Sequence, residues 1–276
     1  MKLESGLVAL VTGASRGLGV EIAERLARSS ADLILAARSA AELEKVAESI
    51  RQSTGSKVTT VIVDMSDSTS IQALAAYAAH ADILVNNAGI EGACRYDERK
   101  ASEIAKTIAV NLAGPMLLTH ALLPGMIARG RGHIVNIASV AGLIAVPFNE
   151  PYSATKFGLV GFTRSLRMTA LASRWPVGIS VVCPGFIDGA GMFEALKQEH
   201  GVSPEAMGAA DLAALSQAVI DVIEQNLPDA IVTPADIREF VAASIIAPIE
   251  FEKASVHSPS STMFRDVAAA RKQEAG

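Results

Sequence analysis

Short apolar runs alternate with amphipathic stretches along most of this chain. Runs that are poor in charge are typical of strands in a parallel sheet, because both faces of such strands are covered. Strands are predicted at 7–11, 32–37, 57–63, 82–89, 133–139 and 177–185. Amphipathic helices are predicted between them at 20–29, 40–53, 67–79, 100–128 and 151–172. This alternation predicts an α/β fold, a doubly wound parallel sheet with helices on both faces and right-handed crossovers.

The pattern changes toward the C-terminus. The run 229–234 (DAIVTP) predicts one more short strand, which ends a single domain over residues 1–234. An extension over 235–276 then carries two apolar stripes at helical spacing. These stripes are Ile237, Phe240, Val241 and Ile245, and, beyond the helix-breaking Pro248, Met263, Phe264 and Val267. The extension is interpreted as helical and packed on the same or a neighbouring subunit. A lid over the substrate and weak adhesion to a membrane surface are the alternatives.

Composition limits the class of protein. A chain of 276 residues that is 50% apolar suits one large domain with a substantial core. Its net charge of −5 and scattered basic residues argue against a nucleic-acid surface. The two cysteines, Cys94 and Cys183, cannot form a disulfide framework, so a reducing, cytoplasmic setting is expected. No signal peptide is recognised, and no run reaches about 18 uninterrupted apolar residues, so no transmembrane span is expected. No metal site is predicted.

A glycine-rich turn, TGASRGLG at 12–19, follows the first predicted strand and precedes the first helix. Gly13 permits a tight turn, Gly17 lets the backbone approach a phosphate, and Gly19 lets the helix pack on the strand. The N-terminus of the helix then offers unpaired N–H groups to a pyrophosphate. The turn lacks the lysine of nucleoside triphosphatases. It therefore indicates a dinucleotide site.

The end of the second strand bears on which dinucleotide is bound. About twenty positions beyond the turn, an acidic residue would hold the adenosine ribose of NAD. Here Ala37 occupies that position and Arg38 follows it, while Arg16 lies inside the turn. A guanidinium group matches a phosphate with two hydrogen bonds. Solvated surface is the alternative for either arginine alone, but the two together, without a carboxylate, favour NADP(H).

Polar and small residues follow later strands. Asp64 ends the third strand, where it could cap the next turn or accept from an adenine amine; both remain open. The segment NNAG at 86–89 supplies small residues where backbone passes close to a ligand. Asn111 lies inside a predicted helix, where asparagine is disfavoured. It is interpreted as a buried functional residue or as a kink satisfied by water.

One further pair suggests acid–base chemistry. Pro151 suits the first turn of a helix, and Tyr152 and Lys156 then lie on the same face at i,i+4. A nearby ammonium favours the phenolate and is expected to lower the pKa of the tyrosine. The pair is a candidate general acid/base, with a surface pair as the alternative. Ser139, at the end of an apolar run, is expected nearby because ligands bind at the carboxyl ends of parallel strands.

These motifs together resemble the short-chain dehydrogenase/reductase family in its compact, non-extended form, a Rossmann-like fold. The resemblance covers roughly residues 5–190 and rests on TGASRGLG, NNAG, VNLAG at 110–114, Ser139, YSATK at 152–156 and PG at 184–185. It implies a tetrad of Asn111, Ser139, Tyr152 and Lys156. Tyr152 would exchange a proton with the substrate oxygen, which Ser139 would hold. Lys156 would lower the pKa of Tyr152 and hold the nicotinamide ribose, and Asn111 would anchor a water in the proton relay.

The resemblance also implies where the cofactor lies. The cofactor-binding residues expected from it, besides Tyr152 and Lys156, are Gly13, Ser15, Arg16, Gly17, Leu18, Gly19, Arg38, Asp64, Met65, Asn87, Ala88, Gly89, Pro184, Gly185 and Ile187. Two features depart from the family pattern. Gly189 replaces the threonine that usually bonds the nicotinamide amide, and the usual long closing strand is absent. The loop at 186–210, which would shape the substrate pocket, matches no recognisable chemistry.

The expected protein is an NADP(H)-dependent oxidoreductase that acts on a small-molecule carbonyl or secondary alcohol. A catalytically silent dinucleotide-binding sensor and a scaffold that acts through the C-terminal extension are the alternatives. The predicted helices at 100–128 and 151–172 carry more apolar positions than one sheet face can cover. Together with the resemblance, this surplus predicts a homodimer, and the missing closing strand argues against a tetramer.

Overall fold

Seven parallel strands form one sheet in the computed structural model, which describes residues 1–191, Glu194, Lys197 and residues 208–274. The order across the sheet is β3-β2-β1-β4-β5-β6-β7. The strands are β1 Val8–Thr12, β2 Asp32–Ala37, β3 Val58–Ile62, β4 Ile83–Asn86, β5 Gly132–Ile137, β6 Val177–Pro184 and β7 Asp229–Val232. The predicted doubly wound, Rossmann-like sheet is confirmed, and the short run near 229 does pair with β6.

Helices connect the strands and cover both faces of the sheet. Those in the described part of the chain are α1 Leu18–Arg28, α2 Ala40–Thr54, α3 Ser68–Tyr77, α4 Ala101–Ile108, α5 Gly114–Arg129, α6 Glu150–Ala172, α7 Leu212–Glu224, α8 Arg238–Ile246, α9 Pro248–Ser255 and α10 Pro259–Glu274. One core joins α1, α2 and α7 to the sheet. A second core lies on the opposite face and includes residues of α3, α5 and α6.

Strand β1 shows why the strands read as continuous apolar runs. Ala9 and Val11 pack in the core on the α1 side, whereas Leu10 packs in the core on the α5 side. All three side chains are fully buried. Alternate side chains of a strand face opposite sides of the sheet, so a sheet covered on both faces needs apolar residues at every position.

The strand order reverses between β1 and β4. The chain runs from β1 to β2 and β3 on one side, and continues with β4 on the other side of β1. A crevice opens at the carboxyl ends of strands at such a point, and ligands bind there in open α/β sheets. The glycine turn after β1 and the NNAG segment at the end of β4 flank this crevice.

Several element boundaries differ from the prediction. Strand β5 ends at Ile137, so Ser139 lies beyond it, at the start of a 3₁₀ turn over Val140–Gly142. The predicted helix 100–128 is interrupted by a π-helical turn, Ala109–Ala113, which contains Asn111. The sequence interpretation did not predict this turn, in which the helical hydrogen bonds span five residues instead of four.

The C-terminal extension is helical, and its two stripes behave differently. In the first, Ile237 and Val241 pack against the domain, but Phe240 and Ile245 are exposed. In the second, Met263, Phe264 and Val267 are buried. The continuous helical stretch 101–129 is long and apolar enough to cross a membrane by length and composition alone. Half of its most apolar window is buried inside the domain, so this one helix is weak evidence for a membrane span.

Candidate active site

The glycine turn brings two stretches of backbone unusually close together. Gly13 and Gly17 adopt positive φ angles of 68° and 62°, a region that side chains disfavour. A β-carbon on Gly13 would lie 2.8 Å from the Ala88 Cα atom, and one on Gly17 would lie 3.0 Å from the Gly191 nitrogen. Gly19 packs directly on the Gly13 carbonyl. Glycine is therefore favoured at all three positions. The tight turn at Gly13 and the close packing at Gly19 agree with the sequence, whereas the phosphate contact of Gly17 stays a prediction.

The N-terminus of α1 has the features of an anion site. Gly17 is its N-cap residue, and no side chain caps the free N–H groups of the first turn. Ser15 and Leu18 are half-buried beside the turn, whereas Arg16 is exposed. Backbone amides and the helix dipole together favour a phosphate at such an end. These residues fit the pyrophosphate of a dinucleotide.

Thr12 organises the crevice, although the sequence interpretation did not single it out. Its hydroxyl accepts hydrogen bonds from the Asn87 and Ala88 nitrogens, both at 3.1 Å. The Asn87 side chain donates to the Thr12 carbonyl at 3.0 Å. Thr12 is almost fully buried, so these bonds satisfy its polar atom and tie the end of β1 to the segment after β4. In the sequence, Thr12 could have been recognised as a hydroxyl residue at the end of an apolar strand.

The ends of β2 and β3 carry the predicted adenosine-side residues. Arg38 is exposed directly after the buried Ala37. The Asp64 carboxylate accepts from the Ser66 nitrogen at 2.8 Å and from its hydroxyl at 2.7 Å. These bonds, and then the nearby Arg38, hold the pKa of Asp64 below its usual range. Asp64 thus caps its own turn, while the Met65 side chain is buried in the core.

Asn111 is fully buried in the π turn and is satisfied by protein groups. Its Oδ1 atom accepts from the Ile90 nitrogen at 2.8 Å, and its Nδ2 atom donates to the Ile90 carbonyl at 2.7 Å. The same Nδ2 atom lies 3.3 Å from the Thr155 hydroxyl. A β-carbon on Gly89 would lie 3.6 Å from Asn111 Oδ1 and 3.7 Å from Lys156 Nζ. Asn111 therefore fixes the segment after β4 against the tetrad.

Ser139, Tyr152 and Lys156 meet at the carboxyl end of β5. The Ser139 hydroxyl accepts from the Ala141 nitrogen at 3.1 Å and lies 3.4 Å from the Pro184 carbonyl. Tyr152 and Lys156 are both buried on the inner face of α6. The Lys156 ammonium lies 5.5 Å from the centre of the Tyr152 ring. All four predicted tetrad residues are brought to one edge of the sheet.

The electrostatics of the pair differ from the prediction. Burial raises the pKa of Tyr152, the charge of Glu91 adds to this, and a hydrogen bond with Ser139 works in the opposite direction. The predicted net lowering of the Tyr152 pKa is therefore wrong for this structure, because burial outweighs any effect of the Lys156 ammonium, which donates to the Ile137 carbonyl at 2.9 Å. Burial also lowers the pKa of Lys156 itself, to about 8. Spacing alone could not predict how deeply the pair is buried.

Glu91 is a titratable group that the sequence interpretation missed. It is half-buried in the segment after β4. Burial raises its pKa to about 7, while the charges of Lys156 and Arg271 and a hydrogen bond from Asn149 oppose the shift. Arg271 belongs to α10, so the C-terminal extension reaches the site. A lone glutamate after NNAG carries no periodic signal.

The end of β6 supplies the last predicted residues. Pro184 is the final residue of β6, and the Gly185 nitrogen donates to the Val232 carbonyl at 3.0 Å. Ile187 forms an isolated bridge with Ala210, and its side chain is buried in the core. Gly189 has a φ of 84°. Much of the 186–210 loop, residues 192–193, 195–196 and 198–207, lies outside the described residues.

The arrangement as a whole fits a dinucleotide beside an acid–base pair. The glycine cradle, the uncapped helix end and the tetrad lie along one edge of the sheet, and Arg16 and Arg38 are exposed at one end of this line. Within the described ranges, no three His, Cys, Asp or Glu side chains are grouped to hold a metal ion. The geometry supports proton transfer to or from a group bound against Ser139 and Tyr152.

Comparison with known proteins agrees with this geometry. The ketoacyl reductase HetN of Nostoc sp. (strain PCC 7120 / SAG 25.82 / UTEX 2576) is 34% identical over 256 residues, which cover 91% of this chain and 87% of that protein. A metagenomic short-chain oxidoreductase solved in complex with NADP is 34% identical, with a TM-score of 0.71 over 84% of this chain and 99% of that chain.

A third comparison widens the range of cofactors among similar structures. A short-chain dehydrogenase/reductase from Burkholderia phymatum, solved in complex with NAD, is 26% identical, with a TM-score of 0.80 over 91% of this chain and 96% of that chain. Finally, the sequence model of the short chain dehydrogenase family matches residues 7–201. The chain therefore belongs to the short-chain dehydrogenase/reductase family and is an NAD(P)-dependent oxidoreductase.

Proposed function

We propose that this enzyme reduces a ketone on an acyl chain to a secondary alcohol, with NADPH as the preferred hydride donor and Tyr152 as the proton donor. The observation that carries the proposal is the cluster of the half-buried Ser139 with the buried Tyr152 and Lys156. Ser139 is anchored at the end of β6, and Lys156 lies beside the Tyr152 ring. The proposal places the enzyme in the cytoplasm, where free Cys94 and Cys183 stay reduced.

The side chains divide the chemistry of the ketone oxygen between them. The hydroxyl groups of Ser139 and Tyr152 donate hydrogen bonds to that oxygen. As negative charge develops on it, the Tyr152 proton moves to it, and the alcohol forms. Burial raises the pKa of Tyr152, so the phenol is still protonated at neutral pH, as a proton donor must be. The Lys156 ammonium then stabilises the phenolate until a solvent proton replaces the one transferred.

A nicotinamide dinucleotide, when bound, supplies the hydride that the ketone carbon accepts. The residues that would hold its pyrophosphate are the glycines of the 12–19 turn and the free N–H groups of α1. Asn87, Ala88 and Gly89 would line its ribose, and Lys156 would bond the nicotinamide ribose. Arg16 and Arg38 would bind a 2′-phosphate, and the preference for NADPH follows from the absence of a carboxylate at Ala37.

The substrate class is supported by relatives. The Nostoc relative is named a ketoacyl reductase, and a 38% identical Streptomyces violaceoruber protein is named a ketoacyl reductase of a granaticin polyketide synthase. A ketone on an acyl chain also suits the apolar residues that follow the carboxyl ends of β5 and β6, among them Val146, Phe148 and Phe186.

The test is NADPH oxidation with a series of 3-oxoacyl thioesters and simple ketones. Tyr152→Phe removes only the hydroxyl, so turnover should fall by about 10² or more while the dissociation constant of NADPH stays nearly unchanged. Tyr96→Phe is the matched control, because that tyrosine is exposed and is expected to leave turnover unchanged. Lys156→Ala should lower both turnover and cofactor affinity.

Two results would contradict the proposal. Full turnover in Tyr152→Phe would show that another group donates the proton. Tight NADPH binding by the unmodified protein without reduction of any ketone would instead favour the alternative of a silent dinucleotide-binding sensor.

A further inference from the structure

Helix α10 has one continuous buried face. Met263, Phe264, Val267 and Ala268 are almost fully buried, whereas the intervening Arg265 is exposed. Their spacing of i, i+1, i+4 and i+5 places them on one side of the helix. An apolar stripe of this kind must be covered, so the surface beneath it shows what the helix does.

The surface beneath α10 consists of loops at the carboxyl ends of the strands. The helix shares an apolar cluster with Ala93 of the segment after β4 and with Val146 and Phe148 of the segment after β5. It also contacts Phe186, which follows β6. The Phe186 and Phe264 rings lie 6.3 Å apart between centroids, at 31°. One helix thus packs on three loops that leave the carboxyl ends of β4, β5 and β6.

A polar contact joins the C-terminal part of α10 to the segment after β4. The Arg271 guanidinium donates to the Ala93 carbonyl at 3.1 Å. It also lies over Gly92, where a β-carbon would come within 2.7 Å of the Arg271 Nη1 atom. Glycine at this position is what allows the guanidinium to approach the backbone. The contact therefore holds the helix at a defined distance from the segment that carries Glu91.

The loops covered by α10 are directly bonded to the tetrad region. The Val146 nitrogen donates to the hydroxyl of Ser153, the neighbour of Tyr152, at 3.2 Å. Phe186 lies two residues beyond Pro184, whose carbonyl is 3.4 Å from the Ser139 hydroxyl. On the third side, the Glu91 carboxyl lies in the field of both Lys156 and Arg271. Helix α10 therefore packs on loops that are themselves bonded to the tetrad region.

Phe148 shows that the loop beneath the helix is held in a special conformation. Its φ is 61°, in the left-handed region that bulky residues rarely adopt. Its nitrogen donates to Glu150 Oε1 at 3.2 Å, and its carbonyl accepts from the Cys94 nitrogen at 2.9 Å. Strain of this kind persists where surrounding contacts impose it, and it clusters at ligand sites.

We infer that the apolar face of α10 forms the outer wall of the substrate pocket and sets the length of the apolar chain that the ketone can carry. This inference rests on the proposed function, since it concerns the selection of substrates for that reaction. Phe264 is the central residue of the wall, because its ring packs near Phe186, two residues beyond Pro184. The substrate class is a ketone whose substituent is an alkyl or acyl chain of limited length.

The experiment compares Phe264→Ala with Arg265→Ala across 3-oxoacyl thioesters and 2-alkanones of increasing chain length. One methylene in an apolar pocket changes kcat/KM by about 10-fold or more. Removal of the Phe264 ring should therefore raise the ratio of kcat/KM for long over short substrates by about 10-fold or more. Arg265→Ala removes an exposed neighbour on the same helix and should leave that ratio within about twofold.

Folding and cofactor binding are checked separately. Each variant is tested for an unchanged circular dichroism spectrum and NADPH dissociation constant, and Phe264→Leu, a smaller loss of volume, replaces Phe264→Ala if the latter does not fold. A folded variant that keeps the same dependence of kcat/KM on chain length, or that loses the same proportion of kcat/KM for every chain length, would contradict the role of α10 as a pocket wall. Ketone reduction by the unmodified enzyme would still support the proposed function. If the unmodified enzyme reduces none of these ketones, the proposed function and the wall both fail.

Discussion

The Asn111 side chain binds both polar backbone groups of Ile90, with Oδ1 accepting at 2.8 Å and Nδ2 donating at 2.7 Å. A π turn in the helix places the amide at the right height for both bonds. Because Gly89 and Glu91 flank Ile90, this one side chain positions the segment that lies beside Lys156. π turns are often found at functional sites.

Asn111→Asp keeps the acceptor but replaces the donor with an oxygen that faces the Ile90 carbonyl. We expect a loss of about 1–3 kcal/mol in the free energy of unfolding, since a buried hydrogen bond is replaced by an unsatisfied contact. We also expect kcat to fall by about tenfold or more, because the segment beside Lys156 shifts. Steady-state kinetics and urea unfolding measure the two effects.

Asn136→Asp is the matched control for that variant. Asn136 is equally buried, and its Nδ2 atom donates to the Thr163 hydroxyl at 2.8 Å in the sheet core. It should lose comparable stability but keep kcat. If Asn111→Asp kept full kcat well below its unfolding temperature, Asn111 would not position the segment beside Lys156 for catalysis.

The cofactor preference should depend on Arg38 more than on any other side chain. A charge-assisted hydrogen bond contributes about 1.5–3 kcal/mol, so NADPH should bind about tenfold or more tightly than NADH. Arg38→Ala should remove most of this preference, and Arg16→Ala should remove part of it. Arg28→Ala, an exposed arginine at the other end of α1, should leave it unchanged. Equal dissociation constants for the two cofactors in the unmodified enzyme would contradict the assignment.

Glu91 should set the alkaline limit of the reaction. The pKa of Lys156 is lowered by burial to about 8, and the charge of Glu91 opposes that shift. Glu91 also raises the pKa of Tyr152. Above pH 8, Lys156 loses its proton and can no longer stabilise the phenolate, so the rate of ketone reduction should fall.

Removal of the Glu91 charge tests its effect on the pKa of Lys156 and predicts the direction of the change. In Glu91→Gln, the pKa of Lys156 falls further, so the alkaline limb of the kcat profile should move to lower pH. Glu98→Gln, an exposed carboxylate seven residues further along, should leave the limb in place. The measurement is kcat at saturating NADPH between pH 6 and pH 10, and an unmoved limb in Glu91→Gln would refute the coupling.

The features that were predictable from sequence are those with a local physical cause. The strands were predictable as continuous apolar runs because both of their faces are buried. Leu10 and Val11, for example, face opposite sides of the sheet. Gly13 and Gly17 were assignable because a tight turn and close backbone contact require glycine. These constraints fix the spacing of residue types along the chain, which can be read directly from the sequence.

Other features depend on packing that no local pattern contains. The stripe of Phe264 and Val267 showed which face of the helix is apolar, but not that three loops of the site cover it. Glu91 became notable only through burial beside Lys156. The direction of the Tyr152 pKa shift likewise depends on desolvation, which the i,i+4 spacing does not report.

Acid stability should be limited by His133. This residue is buried in β5 with its Nε2 atom 2.9 Å from the Ser180 hydroxyl, and burial lowers its pKa to about 3. Between pH 6.5 and pH 3 the unfolded chain therefore binds more protons than the native one, so stability falls as pH falls. Between pH 7.5 and pH 5 this residue alone should cost roughly 2 kcal/mol.

His133→Gln cannot take up that proton. The variant is expected to be less stable than the parent at pH 7.5, because packing is disturbed, but the difference should shrink as the pH approaches 5. His120→Gln, at an exposed position, should follow the parent at every pH. Urea unfolding at several pH values decides the point, and a constant difference between His133→Gln and the parent would rule out the assignment.

The exposed apolar residues of α4, α5 and α6 predict a homodimer. Ile108, Leu117 and Phe157 are 44%, 46% and 43% exposed, which is unusual for large apolar side chains. Leu122 and Val160 also belong to the apolar positions of these helices, but they are buried in the domain's own cores. A two-fold pairing of the exposed stripes would bury each against its copy, which is an isologous contact.

Charge placed in that seam should separate the subunits. Phe157→Glu would bury two carboxylates against an apolar surface. The variant should therefore be a monomer by light scattering at micromolar concentration, whereas the parent should be a dimer. Ile245→Glu is the matched control, because Ile245 is 75% exposed on the C-terminal extension and lies outside the proposed seam. It should stay dimeric. If the parent is a tetramer and Ile245→Glu reduces it to a dimer, the extension is itself an interface. If the parent is a monomer, the seam does not exist.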